Sequence, residues 1–190
     1  MTMTEDRPSG TRARHPVRWI ATVALVVVAG LVAVLATRPP ASVAEVDSPL
    51  LGNLAPTLSG TTLSGSPFVL PSRPGHYVVV NFFASWCEPC RQEGPQLVRF
   101  AFEHSRTNDA QLVSVVFDDT DSSASAYQAQ LGATWPTLRA DGALALSYGV
   151  RAPPTTFVIA PDGRLAAEVI APVTASDLDQ VIATVKARRP

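Results

Sequence analysis

Cys87 and Cys90 stand three positions apart, with Glu88 and Pro89 between them, and they are the only cysteines among 190 residues. Two sulfurs at this spacing can close a small disulfide ring and reopen it, which suits them to thiol-disulfide exchange. They follow a β-branched and aromatic run, residues 77–83 (YVVVNFF), and precede Leu97, Val98, Phe100 and Ala101 at helical spacing. A sulfur that opens a helix faces free amides and the positive end of the helix dipole, and both favour the thiolate. Cys87 is therefore expected to be the exposed, attacking sulfur, and Cys90, one turn deeper, the one that resolves the mixed disulfide. Pro89 fits the first helical turn, where its missing N–H is not needed.

Two other readings of the pair are half a zinc site and two idle thiols. Zinc needs four ligands, and beyond the pair only His76 and His104 remain on the same side of the long apolar run, with no metal-ligand spacing. Idle thiols at an exposed site would oxidise outside the cytoplasm. No metal and no other cofactor is expected. Glu93 lies three residues after Cys90, on the same helix face one turn along. There it is within reach of the buried thiol, whose pKa it would raise and for which it could act as a base; the competing reading is a solvated glutamate in a polar first turn. Glu88 adds negative charge beside Cys87 and favours the reducing direction. Trp135, Tyr148 and Phe157 are read as core or groove wall, and Asp118 and Asp119 as solvated acids at a strand exit.

The elements around these residues alternate. Residues 77–83 read as a strand buried on both faces, 95–103 as helix and 112–117 as strand, which makes a βαβ unit. Helix around 123–131, strand 135–139, helix 143–148, strand 155–159, a Pro161-Asp162-Gly163 turn, strand 165–170 and a helix over 175–187 capped by Thr174 or Ser176 complete the pattern. Ahead of them, 57–63 and 68–70 flank Ser64-Gly65-Ser66-Pro67 as a hairpin. The fold class is α/β, a sheet with helices on both faces and an N-terminal hairpin.

Residues 19–36 hold no charged residue and, as a helix, span about 27 Å, near the thickness of a bilayer core. Arg7, Arg12, Arg14 and Arg18 precede the run and only Arg38 follows closely, so the positive-inside rule keeps the N-terminus cytoplasmic. The resulting division is a cytoplasmic tail (1–18), a single transmembrane anchor (19–36), a linker rich in Pro, Ala and Ser (37–53) and an extracytoplasmic domain (54–190). A signal peptide cleaved after Ser42-Val43-Ala44 is the competing reading, although the run exceeds the usual apolar stretch of about 7 to 15 residues. A buried core helix fits a run apolar on every face poorly. With 15 Lys and Arg against 16 Asp and Glu, the net charge of −1 supplies no basic field for nucleic acid.

The stretch NFFASWCEPCRQEGPQL, together with YGVRAPPTTFVIAPDGR some 60 residues on, resembles the thioredoxin superfamily, and within it the anchored TlpA, ResA and DsbE/CcmG group. The likeness covers roughly residues 54–187. It implies a thioredoxin fold, a central mixed sheet flanked by helices, and a redox-active Cys87–Cys90 disulfide. It also implies a cis peptide before Pro154 that faces the cysteines. Trp86, Pro153, Pro154 and Thr155 would then line a substrate groove; Pro153 has no N–H and can offer a substrate strand only its carbonyl. By the same likeness Glu93 manages protons at the pair, and Asn81 stands where thioredoxins carry a buried aspartate. The implied partners are protein thiols and disulfides, among them the Cys-x-x-Cys-His haem-attachment segment of apocytochrome c, with a membrane electron donor of the CcdA/DsbD type. General disulfide oxidation or isomerisation is the alternative. A copper-delivery protein of the Sco type would need Cys-x3-Cys and a later histidine, a peroxidase would need Pro-x3-Thr-x2-Cys, and a docking domain would show no disulfide reduction.

Overall fold

A computed structural model describes residues 16–36, 48–71 and 74–188. The chain divides into two units, Met1–Ser42 and Val43–Pro190. In the first, the described element is helix α1, Pro16–Ala36, which contains the uncharged run. Among the described residues no helix is long and apolar enough to cross a membrane; the side chains described in α1 are those of residues 19, 20 and 22–30. The remainder of the expected tail and residues 37–47 of the expected linker lie outside the described residues.

The second unit is built on a five-stranded mixed sheet of order β5-β4-β3-β6-β7. Its strands are β3 (Tyr77–Phe83), β4 (Ala110–Val116), β5 (Thr137–Leu138), β6 (Thr155–Ile159) and β7 (Leu165–Val169). β3 is central and wholly buried, parallel to β4 and antiparallel to β6. Because successive side chains alternate faces, Val79 meets Leu97, Phe100, Leu178 and Ile182 on one side. Val78, Val80 and Phe82 meet Leu138, Tyr148 and Phe157 on the other. Helices α2 (Glu88–Thr107) and α5 (Ala175–Ala187) supply the first face and α4 (Gly142–Ser147) the second. A third cluster joins α2 to α3 (Asp121–Leu131) through Phe83, Cys90, Ala124 and Tyr127. Continuous β-branched sequence in β3 follows from this double burial, since neither face meets water.

The hairpin is present, with β1 (Ser59–Thr61) antiparallel to β2 (Pro67–Val69). Chain docked on the domain reaches back at least to Ser48, six residues before the expected boundary at Leu54. The Gly52 amide donates to the Leu165 carbonyl (2.8 Å), the Leu165 amide to the Asn53 carbonyl (2.9 Å), and Leu50 and Leu51 pack on the second face. α2 is longer than its apolar spacing predicts and runs through Pro95. Its buried positions, Cys90, Glu93, Gly94, Leu97 and Phe100, keep helical spacing, but three of them are not large apolar residues and hide the first turns. Of the two candidate caps of α5, Thr174 is the one used, in a reciprocal capping box with Asp177.

At the far end of α2, His104 donates or accepts at Asp109 (2.8 Å) and Asp179 (2.9 Å) and stacks on Phe100, tying α2 to α5. Burial disfavours the imidazolium, but the two carboxylates outweigh it and raise the His104 pKa.

Candidate active site

Strand β3 ends at Phe83, and Ala84-Ser85-Trp86 carry the chain to Cys87, the N-cap of α2. Cys87 and Cys90 are joined in a disulfide. The Cys90 amide donates to Cys87 Sγ (3.2 Å), so the first sulfur does sit in the helix N-terminal field. Pro89 occupies the first turn as expected. Exposure does not separate the two sulfurs in this disulfide form, for Cys87 is 3% exposed and Cys90 1%. The expected exposed sulfur is thus nearly covered, and what distinguishes Cys87 is its place at the helix end.

The loop before Cys87 is held by Asp118 and Asp119, which are not merely solvated acids at a strand exit. Asp119 Oδ2 accepts from the Ser85 amide (2.7 Å), and the Asp118 carbonyl accepts from Trp86 Nε1 (2.9 Å). Burial works against the Asp119 charge, yet the amide hydrogen bonds prevail and lower its pKa. Trp86 itself is 59% exposed, an aromatic wall beside the cysteines. Behind the pair, Tyr127 Oη donates to the Cys90 carbonyl (3.1 Å), and the Arg91 guanidinium lies over the Tyr127 ring. Neither contact has a motif, because each joins α2 to a residue some thirty or more positions along.

Glu93 is not solvated. It is 2% exposed, on the α2 face turned to the sheet. Asn81 Nδ2 donates to Glu93 Oε1 (2.8 Å) and to Thr156 Oγ1 (3.0 Å), while the Val173 amide donates to Glu93 Oε2 (3.1 Å). Desolvation pushes the Glu93 carboxyl up from 4.5 to about 7, against these hydrogen bonds, which favour the anion. Asn81 Oδ1 has no hydrogen-bond partner among the described residues. Turning the amide by 180° would present that oxygen to a protonated Glu93, so Asn81 can serve either charge state. Glu93, one turn after Cys90 on α2, is therefore a buried group able to gain or lose a proton near neutrality.

The Pro153–Pro154 peptide bond is cis. β6 begins at Thr155, paired with Phe82 near the end of β3, so the register puts Pro154 and Cys87 at the same end of the sheet. Pro154 and Thr155 are buried and Pro153 half-buried; Thr155 Oγ1 donates to the Ala152 carbonyl (2.8 Å). Tyr148 and Phe157 are core, their rings 5.1 Å apart, and Tyr148 Oη donates to the Pro56 carbonyl. Trp135 is half-buried, with Nε1 on Ser114 Oγ (2.8 Å).

Residues 51–168 match the AhpC/TSA family. Thiol:disulfide interchange protein HelX of Rhodobacter capsulatus is 34% identical over 104 residues, 54% of this chain and 56% of HelX, so the chain spans little more than half of that relative. The thiol:disulfide interchange protein DsbE homolog of Paracoccus denitrificans is 32% identical over 135 residues, 68% of this chain and 72% of that protein. Among solved structures, a thioredoxin-family thiol:disulfide interchange protein from Chlorobium tepidum superposes with a TM-score of 0.64 at 27% identity, covering 74% of this chain and 99% of the other. The chain belongs to the AhpC/TSA family and, with its Cys87–Cys90 disulfide at the start of α2, is a thiol-disulfide oxidoreductase of thioredoxin fold.

Proposed function

We propose that the chain works outside the cytoplasmic membrane, to which residues 19–36 anchor it, and reduces protein disulfides. The observation that carries this reading is the Cys87–Cys90 disulfide at the start of α2, with Glu93 buried one turn after Cys90 and its carboxyl pushed up to about 7 by desolvation. In the dithiol form, Cys87 thiolate attacks one sulfur of a substrate disulfide, forming a mixed disulfide and releasing the other substrate sulfur as a thiolate. Cys90 gives up its proton toward Glu93 and attacks Cys87 Sγ, which frees the second substrate thiol. Two electrons pass to the substrate and the chain is left as the disulfide. A membrane-embedded donor of the CcdA/DsbD type would return them.

The resemblance to the TlpA, ResA and DsbE group supports the haem-attachment cysteines of apocytochrome c as substrate. The absence of charge across residues 19–36 and the arginines before them support the anchor and its orientation. A redox titration of the chain tests the direction. A potential near or below that of thioredoxin, about −270 mV, is expected; one near that of DsbA, about −120 mV, would make it an oxidant instead.

A further inference from the structure

The turn of α2 that carries both cysteines is held less by its own backbone than a helix turn usually is. Pro95 lies inside α2 and offers no N–H to the Arg91 carbonyl one turn back, so the cysteine turn lacks that tie to the rest of the helix. What holds it from outside is Tyr127 of α3, whose Oη donates to the Cys90 carbonyl (3.1 Å). Tyr127 is itself fixed. Its ring centroid lies 5.7 Å from that of Phe83, at the end of β3, and 5.5 Å from the guanidinium carbon of Arg91, which also donates to the Ser85 carbonyl (3.3 Å). Gly94 makes the approach possible, since a Cβ there would stand 2.5 Å from the Tyr127 hydroxyl. Desolvation, and after it the charge of Glu93, raise the Tyr127 pKa, so the hydroxyl keeps its proton and remains a donor near neutrality.

We propose that Tyr127 is a positioning residue for the resolving step: by holding the Cys90 carbonyl it keeps Cys90 Sγ aimed at Cys87 Sγ. In that step the Cys90 thiol loses its proton and its sulfur bonds to Cys87 Sγ. The bond from Cys87 to the substrate sulfur breaks, a substrate thiolate leaves, and the transfer of two electrons to the substrate is complete. Because attack within a mixed disulfide is intramolecular, its rate depends on how narrowly the two sulfurs are held, and an error of about 1 Å costs about a hundredfold. Attack by Cys87 on a substrate depends instead on collision and on the helix end, where the Cys90 amide donates to Cys87 Sγ. The hydroxyl therefore bears on the second step and not on the first. The inference rests on the exchange reading in that it takes Cys90 as the resolving sulfur.

The test is stopped-flow oxidation of the reduced full chain, in detergent, by excess dithiobis(nitrobenzoic acid), a disulfide whose released thiolate absorbs visible light. Attack by Cys87 releases the first thiolate at a rate proportional to the reagent, and closure by Cys90 releases the second at a rate independent of it. Tyr127→Phe keeps the ring contacts and loses only the hydroxyl. It should slow the second phase by at least about tenfold and leave the first within about twofold. Gly94→Ala, which drives a methyl against the same hydroxyl, should also slow the second phase, so the result does not hang on one variant. A second phase unchanged in Tyr127→Phe overturns the proposal. Equal slowing of both phases does so too, because it marks a general loosening of the site. A second phase missing from the unaltered chain would instead sink the exchange reading, since Cys90 would then resolve nothing.

Discussion

The Glu93 carboxyl is the residue through which pH reaches both stability and chemistry. Its folded pKa of about 7 lies above the ordinary 4.5, so the fold prefers the protonated form. The associated stability is fully present below about pH 4.5 and is lost as pH rises through about 7, a change of roughly 3 kcal/mol. Urea unfolding between pH 4.5 and 8 should show that decline in the unaltered protein, and Glu93→Gln should reduce it to the part that the raised His104 pKa leaves. The same substitution should remove an inflection near pH 7 from the rate at which iodoacetamide alkylates reduced Cys87; an unchanged profile would leave Glu93 structural. The sulfurs are separable by trapping. Cys90→Ser should accumulate mixed disulfides through Cys87 and Cys87→Ser should accumulate few, as non-reducing gels would show; equal trapping would refute the division of roles. The cysteine pair and Pro154 were legible in the sequence because their neighbours form local motifs. The donors that hold Glu93 were not: Asn81 and Val173 lie 12 and 80 positions away, and only the folded sheet brings them to one carboxylate.

At the scale of elements, the first turns of α2 are fixed by α3, and Gly94 is a point of close approach between the two. A Cβ at Gly94 would lie 2.5 Å from Tyr127 Oη and 3.0 Å from Leu131 Cδ1. Tyr127 cannot swing away freely, since its hydroxyl holds the Cys90 carbonyl and its ring carries Arg91. Gly94→Ala gains up to about 1 kcal/mol in helix propensity, but overpacking costs about 1–3 kcal/mol. A net loss of about 1 kcal/mol and a drop of several degrees in Tm are expected. A rise in Tm by calorimetry would mean that α3 yields without resistance. This contact also explains what the sequence could not disclose. Strands β3, β4, β6 and β7 and helix α5 announce themselves by apolar runs or caps, because their partners are the sheet and its two cores. The start of α2 is written in small and polar residues, Cys90, Glu93 and Gly94, because its partners are a sulfur, a carboxyl site and a tyrosine hydroxyl. Apolar periodicity therefore begins only at Leu97, past Pro95, and the helix looked shorter than it is.

For the whole molecule, the proposed tether rests on the composition of residues 19–36. Ten of the 18 residues at 19–36 are Val, Leu or Ile and none is charged. Each of those aliphatics favours insertion by about 0.3–0.6 kcal/mol at the helix centre, whereas a single Lys, Arg or Asp there would cost about 2.5–3.5 kcal/mol. The sum favours the bilayer by a margin that one threonine and one glycine do not reverse. The proposed tether would have a kinetic consequence as well, since a unit held at the membrane would meet the proposed membrane-embedded donor at a raised effective concentration without any added contact surface. The expected result is that the protein resists alkaline extraction from membranes, and that N-terminal sequencing of this fraction reads residues ahead of Trp19. Removal of residues 1–36 should then leave insulin reduction by the purified chain unchanged, because the disulfide, Glu93 and the Pro153–Pro154 loop all lie in the second unit. Re-reduction by membranes that carry the donor should slow by an order of magnitude or more. A mature chain that begins at Glu45 in the soluble fraction would overturn the anchor, and equal re-reduction of tethered and truncated chains would show that the tether serves location alone.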